Sequence, residues 1–303
     1  MSKTYLITGG TGLVGTRLTE LLLEEGNEVK YLSRSAGKMN GSECFQRDIV
    51  RQTLDEKALD GVDAIIHLAG AGVADKAWSA ERKKEILQSR TKSTQLLKTT
   101  LEQKDHKIKS FISASAIGYY GWDTGGVWIK EGSRFGDDFL ATVTKAWEEE
   151  VDQVATLGLR TVKLRIGIVF SEKGGALYEI AKPIKLGVGA PLGRGDQYMS
   201  WIHIDDLCRM FMRAVKCHCV EGIYNAVGPN PETNKAITKA AARALNKAAF
   251  LPNVPGFVLK VILGKRAAMV LGGSRVSCEK IQATNFTFQF PELKQALADL
   301  LGK

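Results

Sequence analysis

Thr8-Gly9-Gly10-Thr11-Gly12-Leu13-Val14-Gly15 decides the fold. It follows the apolar run Tyr5–Thr8 and opens a helical pattern, Leu13–Glu25. There Val14, Leu18, Leu21 and Leu22 fall at i, i+4, i+7 and i+8, a single core-facing stripe. Two glycine spacings coexist, Gly10-x-Gly12-x-x-Gly15 and Gly9-x-x-Gly12-x-x-Gly15. Between a strand and a helix, such glycines meet three demands: a tight turn, close backbone approach to a pyrophosphate, and close helix–sheet packing. The helix start adds free N–H groups and the positive end of its dipole, which favour phosphate. The stretch reads as a dinucleotide-binding turn, with Gly9, Thr11, Gly12, Leu13, Val14 and Gly15 as cofactor contacts.

Outward from the turn, short β-type runs alternate with helical patterns. The runs are Tyr5–Thr8, Glu28–Leu32, Cys44–Gln46, Ala64–Leu68, Ser110–Ser113 and Thr161–Phe170. The helices fall near Leu13–Glu25, Ala80–Glu102 and Phe139–Leu157. This alternation predicts an α/β fold, a Rossmann-type doubly wound parallel sheet with a smaller C-terminal α/β substrate lobe. Residues 1–230 form the NADP(H)-binding domain on this reading, with substrate-lobe insertions from about 171. Residues 231–303 form a small basic domain containing an Ala-rich helix, Ala236–Ala249, and a final helix from about Pro291.

The end of the second strand selects the dinucleotide. An NAD site places a carboxylate there for the ribose 2′-hydroxyl. Here the strand ends Leu32-Ser33-Arg34, and Lys30 to Ser35 contains no carboxylate. Ser33 can donate to a 2′-phosphate and Arg34 can clamp it with a planar guanidinium, so NADP(H) is the expected cofactor.

Composition bounds the remaining possibilities. The 303 residues are 44% hydrophobic and 25% charged, with mean hydropathy −0.10, which excludes collagen-like, disordered and membrane-embedded classes. The chain carries 42 basic against 33 acidic side chains, a net +9. The segment 231–303 holds +7 of that charge, and the first 230 residues only +2. Part of the tail charge, Lys265 and Arg266 among it, is expected to face an acidic small-molecule substrate. The tail lacks aromatics interleaved with its lysines, so no nucleic-acid partner is expected.

Five scattered cysteines form no disulfide framework and fit a reducing compartment. Cys217-His218-Cys219 reads as ordinary helix-end sequence, because no second ligand pair completes a zinc site and no metal is expected. The N-terminus runs straight into a strand, and no apolar stretch reaches the ~18 residues that span a bilayer. A cytoplasmic protein with no membrane partner is expected.

Several motifs carry a resemblance: the glycine turn, Asp63-Ala64-Ile65-Ile66-His67-Leu68-Ala69-Gly70, and Ser113-Ala114-Ser115-Ala116-Ile117-Gly118-Tyr119-Tyr120-Gly121. Together they resemble the extended short-chain dehydrogenase/reductases, which include nucleotide-sugar epimerases and dehydratases. Trp147-Glu148-Glu149, the Arg165–Phe170 run, Trp201-Ile202-His203-Ile204-Asp205-Asp206-Leu207, Tyr224–Pro229 and Phe286–Pro291 are similar to an atypical branch. That branch is labelled epimerase-family or cell-division-inhibitor-like and has a C-terminal domain of unknown function. The resemblance implies that Leu68, Ala69 and Gly70 line the nicotinamide ribose and that Asp48 and Ile49 touch the adenine. It also implies that Ser113, Arg165, Gly167 and Ile168 border the cofactor. A family-typical dimer would use the helices around Ala80–Glu102 and Phe139–Leu157, although the Trp147-Glu148-Glu149-Glu150 run argues for solvent exposure there.

The superfamily works with a Ser, a Tyr and a Lys four residues after the Tyr. By register the serine seat is Ala116, with Ser115 beside it, and the lysine seat is Lys145. Four residues before Lys145 stands Ala141, so the usual acid/base is missing. Tyr119 and Tyr120, on the loop leaving the fifth strand, are the replacement candidates, with Ser115 as oxygen partner and Lys145 in support. A literal Tyr178-x-x-x-Lys182 lies beyond the sixth strand, in the substrate lobe. His67 reads as a packed strand residue, Ile202-His203-Ile204 as strand, and Asp205 as the N-cap of the next helix. Two functions remain open: an NADP(H)-dependent oxidoreductase or epimerase-type enzyme acting by hydride transfer, and an NADP(H)-binding regulator with little or no catalysis. A homo-oligomer is compatible with both.

Overall fold

The computed structural model describes residues 2–247 and 251–302. Its central sheet contains seven parallel strands: β1 (Thr4–Thr8), β2 (Glu28–Ser33), β3 (Ser42–Asp48), β4 (Ala64–His67), β5 (Ser110–Ala116), β6 (Arg160–Ile166) and β7 (Gly222–Ala226). Their order is β7-β6-β5-β4-β1-β2-β3, with Gly37–Met39 and Thr53–Leu54 pairing antiparallel to β3. The strands are apolar on both faces, as in Leu6-Ile7, Ile65-Ile66 and Phe111-Ile112, because helices cover both sides. The direction of winding reverses between β1 and β4, where Thr8 pairs with His67. Crevices at such switch points, beyond the carboxyl ends of the strands, are where open α/β sheets bind ligands.

Helix α1 (Leu13–Glu24) leads from β1 to β2, and α2 (Ala80–Gln103) and α3 (Phe139–Ala155) pack together as a pair. Beyond β6 come α4 (Gly175–Lys185), α5 (Ile204–Lys216) and α6 (Asn234–Ala244). They are followed by α7 (Gly256–Leu263), the short turns α8 (Ala268–Leu271) and α9 (Glu279–Gln282), and α10 (Leu293–Leu301). A second apolar cluster joins Phe170, Leu177 and Trp201 to Ile237, Ala241 and Leu297. Val276, Ile281 and Phe286 reach back into the main core.

Five expectations need correction. The strand foreseen over Thr161–Phe170 breaks at Gly167, after which Ile168–Phe170 pairs with Trp201–His203 instead. A Cβ at Gly167 would lie 2.3 Å from the Ser200 carbonyl, so the crossing needs glycine. The Ala-rich helix stops at Ala244, two residues before Asn246 adopts φ 54°; positions 248–249 lie outside the described residues. The Trp147–Glu150 run is solvated only in part: Glu149 is exposed, but Trp147 and Glu148 are both buried. The N-cap of α5 is His203, whose Nδ1 accepts from the Asp205 N–H. Asp205 instead pairs with Arg17 of α1 through two hydrogen bonds, at 2.7 and 3.0 Å. Finally, Cys217 and Cys219 are joined as a disulfide at the end of α5, while Cys44, Cys208 and Cys278 are free and buried.

Candidate functional site

The glycine turn lies directly on the switch point. Gly9 has φ 74°, and a Cβ there would press on the Ala69 backbone at 3.0 Å. A Cβ on Gly10 would enter the Tyr31 ring, and one on Gly15 would lie 2.5 Å from the Gly9 carbonyl oxygen. These contacts bring α1 tight against the sheet. Gly12 is the N-cap and offers no side-chain cap, and the first turn contains no acid. The helix end therefore presents its N–H groups and positive dipole to the crevice, a cradle that suits a pyrophosphate. Thr11 and Gly12 are exposed at its mouth, with Leu13 and Val14 half-buried behind them.

The ribose end is basic. Ser33 Oγ donates to the Ser35 carbonyl and accepts from the Ser35 N–H, which shapes the turn after β2. Arg34 is exposed. Close by, Arg47 at the end of β3 donates from Nη1 to Ser93, and its Nε is sealed from solvent without a partner. Burial, with the charge of Arg34, pushes the Arg47 guanidinium down to about 10. Among the described residues neither arginine has an ion pair, so two neighbouring guanidinium charges stand without a carboxylate. Asp48 is committed to the N–H groups of Val50 and Arg51, which hold its carboxyl below the ordinary range, and Ile49 is half-buried beside it.

A third arginine lies at the end of β4. Arg90 of α2 donates from Nη1 to the carbonyls of Ala71 and Ile86, and its guanidinium lies 2.9 Å from where a Gly70 Cβ would be. Burial, then the charge of Arg82, pushes it down to about 10. Leu68 and Ala69 run from β4 toward it. Neither Arg47 nor Arg90 belongs to a recognisable motif, and nothing local in the sequence points to either.

Beside this crevice, sequence-predicted residues converge in a buried network. Arg165 of β6 donates from Nε and Nη2 to the two oxygens of Glu148, and from Nη1 to Tyr120 Oη and the Glu131 carbonyl. Ser115 Oγ donates to the same Glu148 carboxylate. Tyr120 Oη donates in turn to Asn225 Oδ1 at 2.7 Å, and Asn225 donates to Ser277 and Glu131. Burial raises the Tyr120 phenol, and Arg165 only partly offsets this.

Tyr119 stands differently. Its ring covers the Arg165 guanidinium at 3.5 Å and meets Tyr120 edge-on, and its hydroxyl has no partner among the described residues. Lys145 is not part of this network: it is half-exposed, 3.7 Å from Glu149 and stacked on Phe135. The Arg165 side chain is used up by protein partners, and its backbone lies in the ladder between β5 and β7. Ser113 is fully buried and donates to the Ala114 carbonyl, and Gly167 and Ile168 mark the break after β6. Sequence reasoning missed Glu148, Asn225 and Glu131.

The remaining candidates are structural. His67 is fully buried between Thr8 and Thr94. His203 stacks on Phe290 and faces Asp299, while buried Asp206 accepts from the N–H groups of Gln289 and Phe290. Tyr178 and Lys182 touch at the surface of α4, where Lys182 pairs with Glu179. Among the described residues no metal-ligand cluster occurs, and no helix is long and apolar enough to cross a membrane.

A parallel sheet of this order with a glycine turn at its switch point defines a Rossmann-type nucleotide-binding protein. The chain belongs to the NAD-dependent epimerase/dehydratase family, whose model matches residues 5–226, and a domain of unknown function, DUF1731, matches residues 254–300. It is 34% identical to the epimerase family protein SAR0825 of Staphylococcus aureus, over 99% of this chain and all of the relative. It is 33% identical to the mouse epimerase family protein SDR39U1, over 98% of this chain and 99% of that protein. The solved structure of human SDR39U1 (isoform 2) with NADPH superimposes at TM-score 0.88, with 32% identity and 98% and 99% of the two chains covered. UDP-N-acetylglucosamine 4-epimerase from Bacillus cereus, at 19% identity and TM-score 0.78 over 99% and 98% of the two chains, shares the fold.

Proposed function

We propose that this protein is an NADP(H)-dependent oxidoreductase or epimerase-type enzyme acting on a small polar substrate. The observation that carries the cofactor choice is the Arg34–Arg47 pair, two neighbouring cations without a carboxylate partner at the ribose end of the crevice. Withdrawing the Arg47 guanidinium from water without a counter-charge is costly, and a 2′-phosphate relieves that cost. The NADPH bound by human SDR39U1 supports the same choice.

The glycine turn would hold the pyrophosphate, Arg34 and Arg47 the 2′-phosphate, and Leu68–Gly70 with Arg90 the nicotinamide ribose side. Bound there, NADP(H) supplies or accepts hydride. Tyr119 has the only uncommitted hydroxyl of the tyrosine pair, so it carries the proton to or from the substrate oxygen. The Arg165 guanidinium lies against its ring at 3.5 Å and fixes where that ring stands. Glu148, Tyr120 and Asn225 keep that guanidinium in place.

Titration of the protein with NADPH and NADH tests the cofactor choice. Arg34→Ala should weaken NADPH about tenfold or more, the loss of one charge-assisted phosphate contact, and leave NADH unchanged. Equal effects on both dinucleotides would remove the assignment. A second reading, an NADP(H)-bound regulator, draws on one observation: Ser115 and Tyr120 are tied up inside the protein, and Ala141 fills the usual tyrosine seat. NADPH binding without oxidation across a panel of carbonyl compounds would favour it.

A further inference from the structure

Chain segment 255–271 makes an excursion hung from two anchors. At its start Val254 pairs with Leu192, with backbone hydrogen bonds to Pro191 and Gly193. At its end Gly272 and Gly273 press so closely on Trp122 and Tyr198 that a Cβ on either would lie 2.2 Å from a carbonyl oxygen. Between the anchors Arg266 donates to the Ala74 carbonyl, and Met269 packs against the cluster of Trp78, Ile86 and Val143, as Trp122 does. The excursion therefore closes over the loop after β4 and the loop that carries Tyr119.

An open cleft of about 700 Å³ separates the excursion from Trp122 and Asp123. This volume lies within the range of small-ligand sites. Its apolar wall is Ala267, Ala268 and Leu271, with Trp122 opposite, held 5.4 Å from Trp78. Its charge is one-sided. Lys260 and Lys265 line it, and among the described residues neither has an ion pair. No acidic residue occurs from Leu251 to Cys278. Asp123, the acid opposite, is engaged by Arg194 at 3.8 Å and by the Gly125 N–H.

We infer that this cleft binds an amphipathic anion, with an apolar or aromatic body against Trp122 and Leu271 and an acidic end between Lys260 and Lys265. From the proposed function it takes only that the substrate approaches from the Tyr119 side, three residues before Trp122. An apolar wall rimmed by unpaired lysines selects such a molecule over a neutral polar one. The lysines gain a counter-charge and the wall gains an apolar partner.

Anilinonaphthalene sulfonate and its uncharged counterpart N-phenylnaphthylamine serve as probes on the full-length protein, followed by fluorescence. Lys260→Gln with Lys265→Gln should weaken the sulfonate about tenfold and the neutral probe less than about twofold. Ala268→Phe, which fills the apolar wall, should weaken both. Phe257→Ser with Val261→Ser alters the exposed outer face of α7 and should leave both probes unchanged. NADPH affinity, measured on every variant, reports intact folding. Sulfonate binding indifferent to the lysines, or responding only to the outer-face variant, would overturn the inference. Failure of the wild-type protein to bind NADPH would overturn the proposed cofactor and leave this site standing.

Discussion

Arg165 on β6 and Glu148 on α3 meet in a two-pronged ion pair, both bonds 2.8 Å, with almost nothing of either side chain exposed. Burial works against the guanidinium charge, but the hydrogen bonds and charge of Glu148 outweigh it and raise Arg165 above its usual range. Removing one partner strands the other charge in the interior. Glu148→Gln should therefore cost about 3–5 kcal/mol in chemical denaturation. Glu148→Leu combined with Arg165→Met should cost less than the two single losses added together, because it strands nothing.

The two tyrosines should separate stability from chemistry. Tyr120→Phe leaves Arg165 Nη1 and Asn225 Oδ1 each one partner short inside the protein, a loss of about 1–3 kcal/mol by denaturation. Tyr119→Phe removes a hydroxyl with no partner and keeps the ring over Arg165, so stability should change by less than about 0.5 kcal/mol. If Tyr119 carries the proton, that second variant loses carbonyl reduction while binding NADPH normally. Retained turnover in Tyr119→Phe would return the role to another group.

What could be read from sequence was local. The glycine turn, its strand and its helix lie within 21 consecutive residues from Thr4 to Glu24, so spacing alone exposed them. The same logic misled at Glu148, where three successive glutamates look like a solvated face; the middle of the helix points one of them at Arg165, a residue on another strand. The break at Gly167 is set by the Ser200 carbonyl and Val227, contacts that no neighbouring residue announces. Arg47 and Arg90 were silent for the same reason. An arginine becomes a candidate anion ligand only when the fold buries it away from carboxylates.

His67 gives the protein an acid-sensitive core. Thr94 Oγ1 donates to the Arg90 carbonyl and so accepts from His67 Nε2, while Nδ1 accepts from Thr8 Oγ1; the ring is neutral. Burial first, then the charges of Arg47 and Arg90, push its pKa from 6.5 down to about 3. Below 6.5 the unfolded chain binds a proton that the native ring refuses, so stability falls as pH drops from 6.5 toward about 3. Between about pH 7 and about pH 5 this one residue removes about 2 kcal/mol. Burial lowers His203 as well, against the pull of Asp205, Asp299 and Asp206, and adds in the same direction. His67→Gln should be less stable near neutrality and lose stability less steeply on acidification, as read from denaturation midpoints across that range. An unchanged slope would mean that the ring takes up its proton in the folded protein as readily as in the unfolded chain.

Two glycine substitutions at opposite ends of α1 test whether the turn binds nucleotide or only shapes the fold. Gly26 has φ 76° and open space around it, so Gly26→Ala should cost about 1–2 kcal/mol through backbone strain alone. Gly15 has ordinary φ, but its Cβ would meet the Gly9 carbonyl oxygen at 2.5 Å and Gly10 Cα at 2.6 Å. Both obstacles are backbone and cannot swing aside, so α1 must lift from the turn, at about 1–3 kcal/mol. The stability costs are alike, yet only the Gly15 change moves the N–H groups that face the crevice. Gly15→Ala should weaken NADPH more than about tenfold and Gly26→Ala should leave it unchanged, measured by nicotinamide fluorescence on folded protein. Equal NADPH affinity in the two variants would leave the turn a packing device and move the pyrophosphate elsewhere.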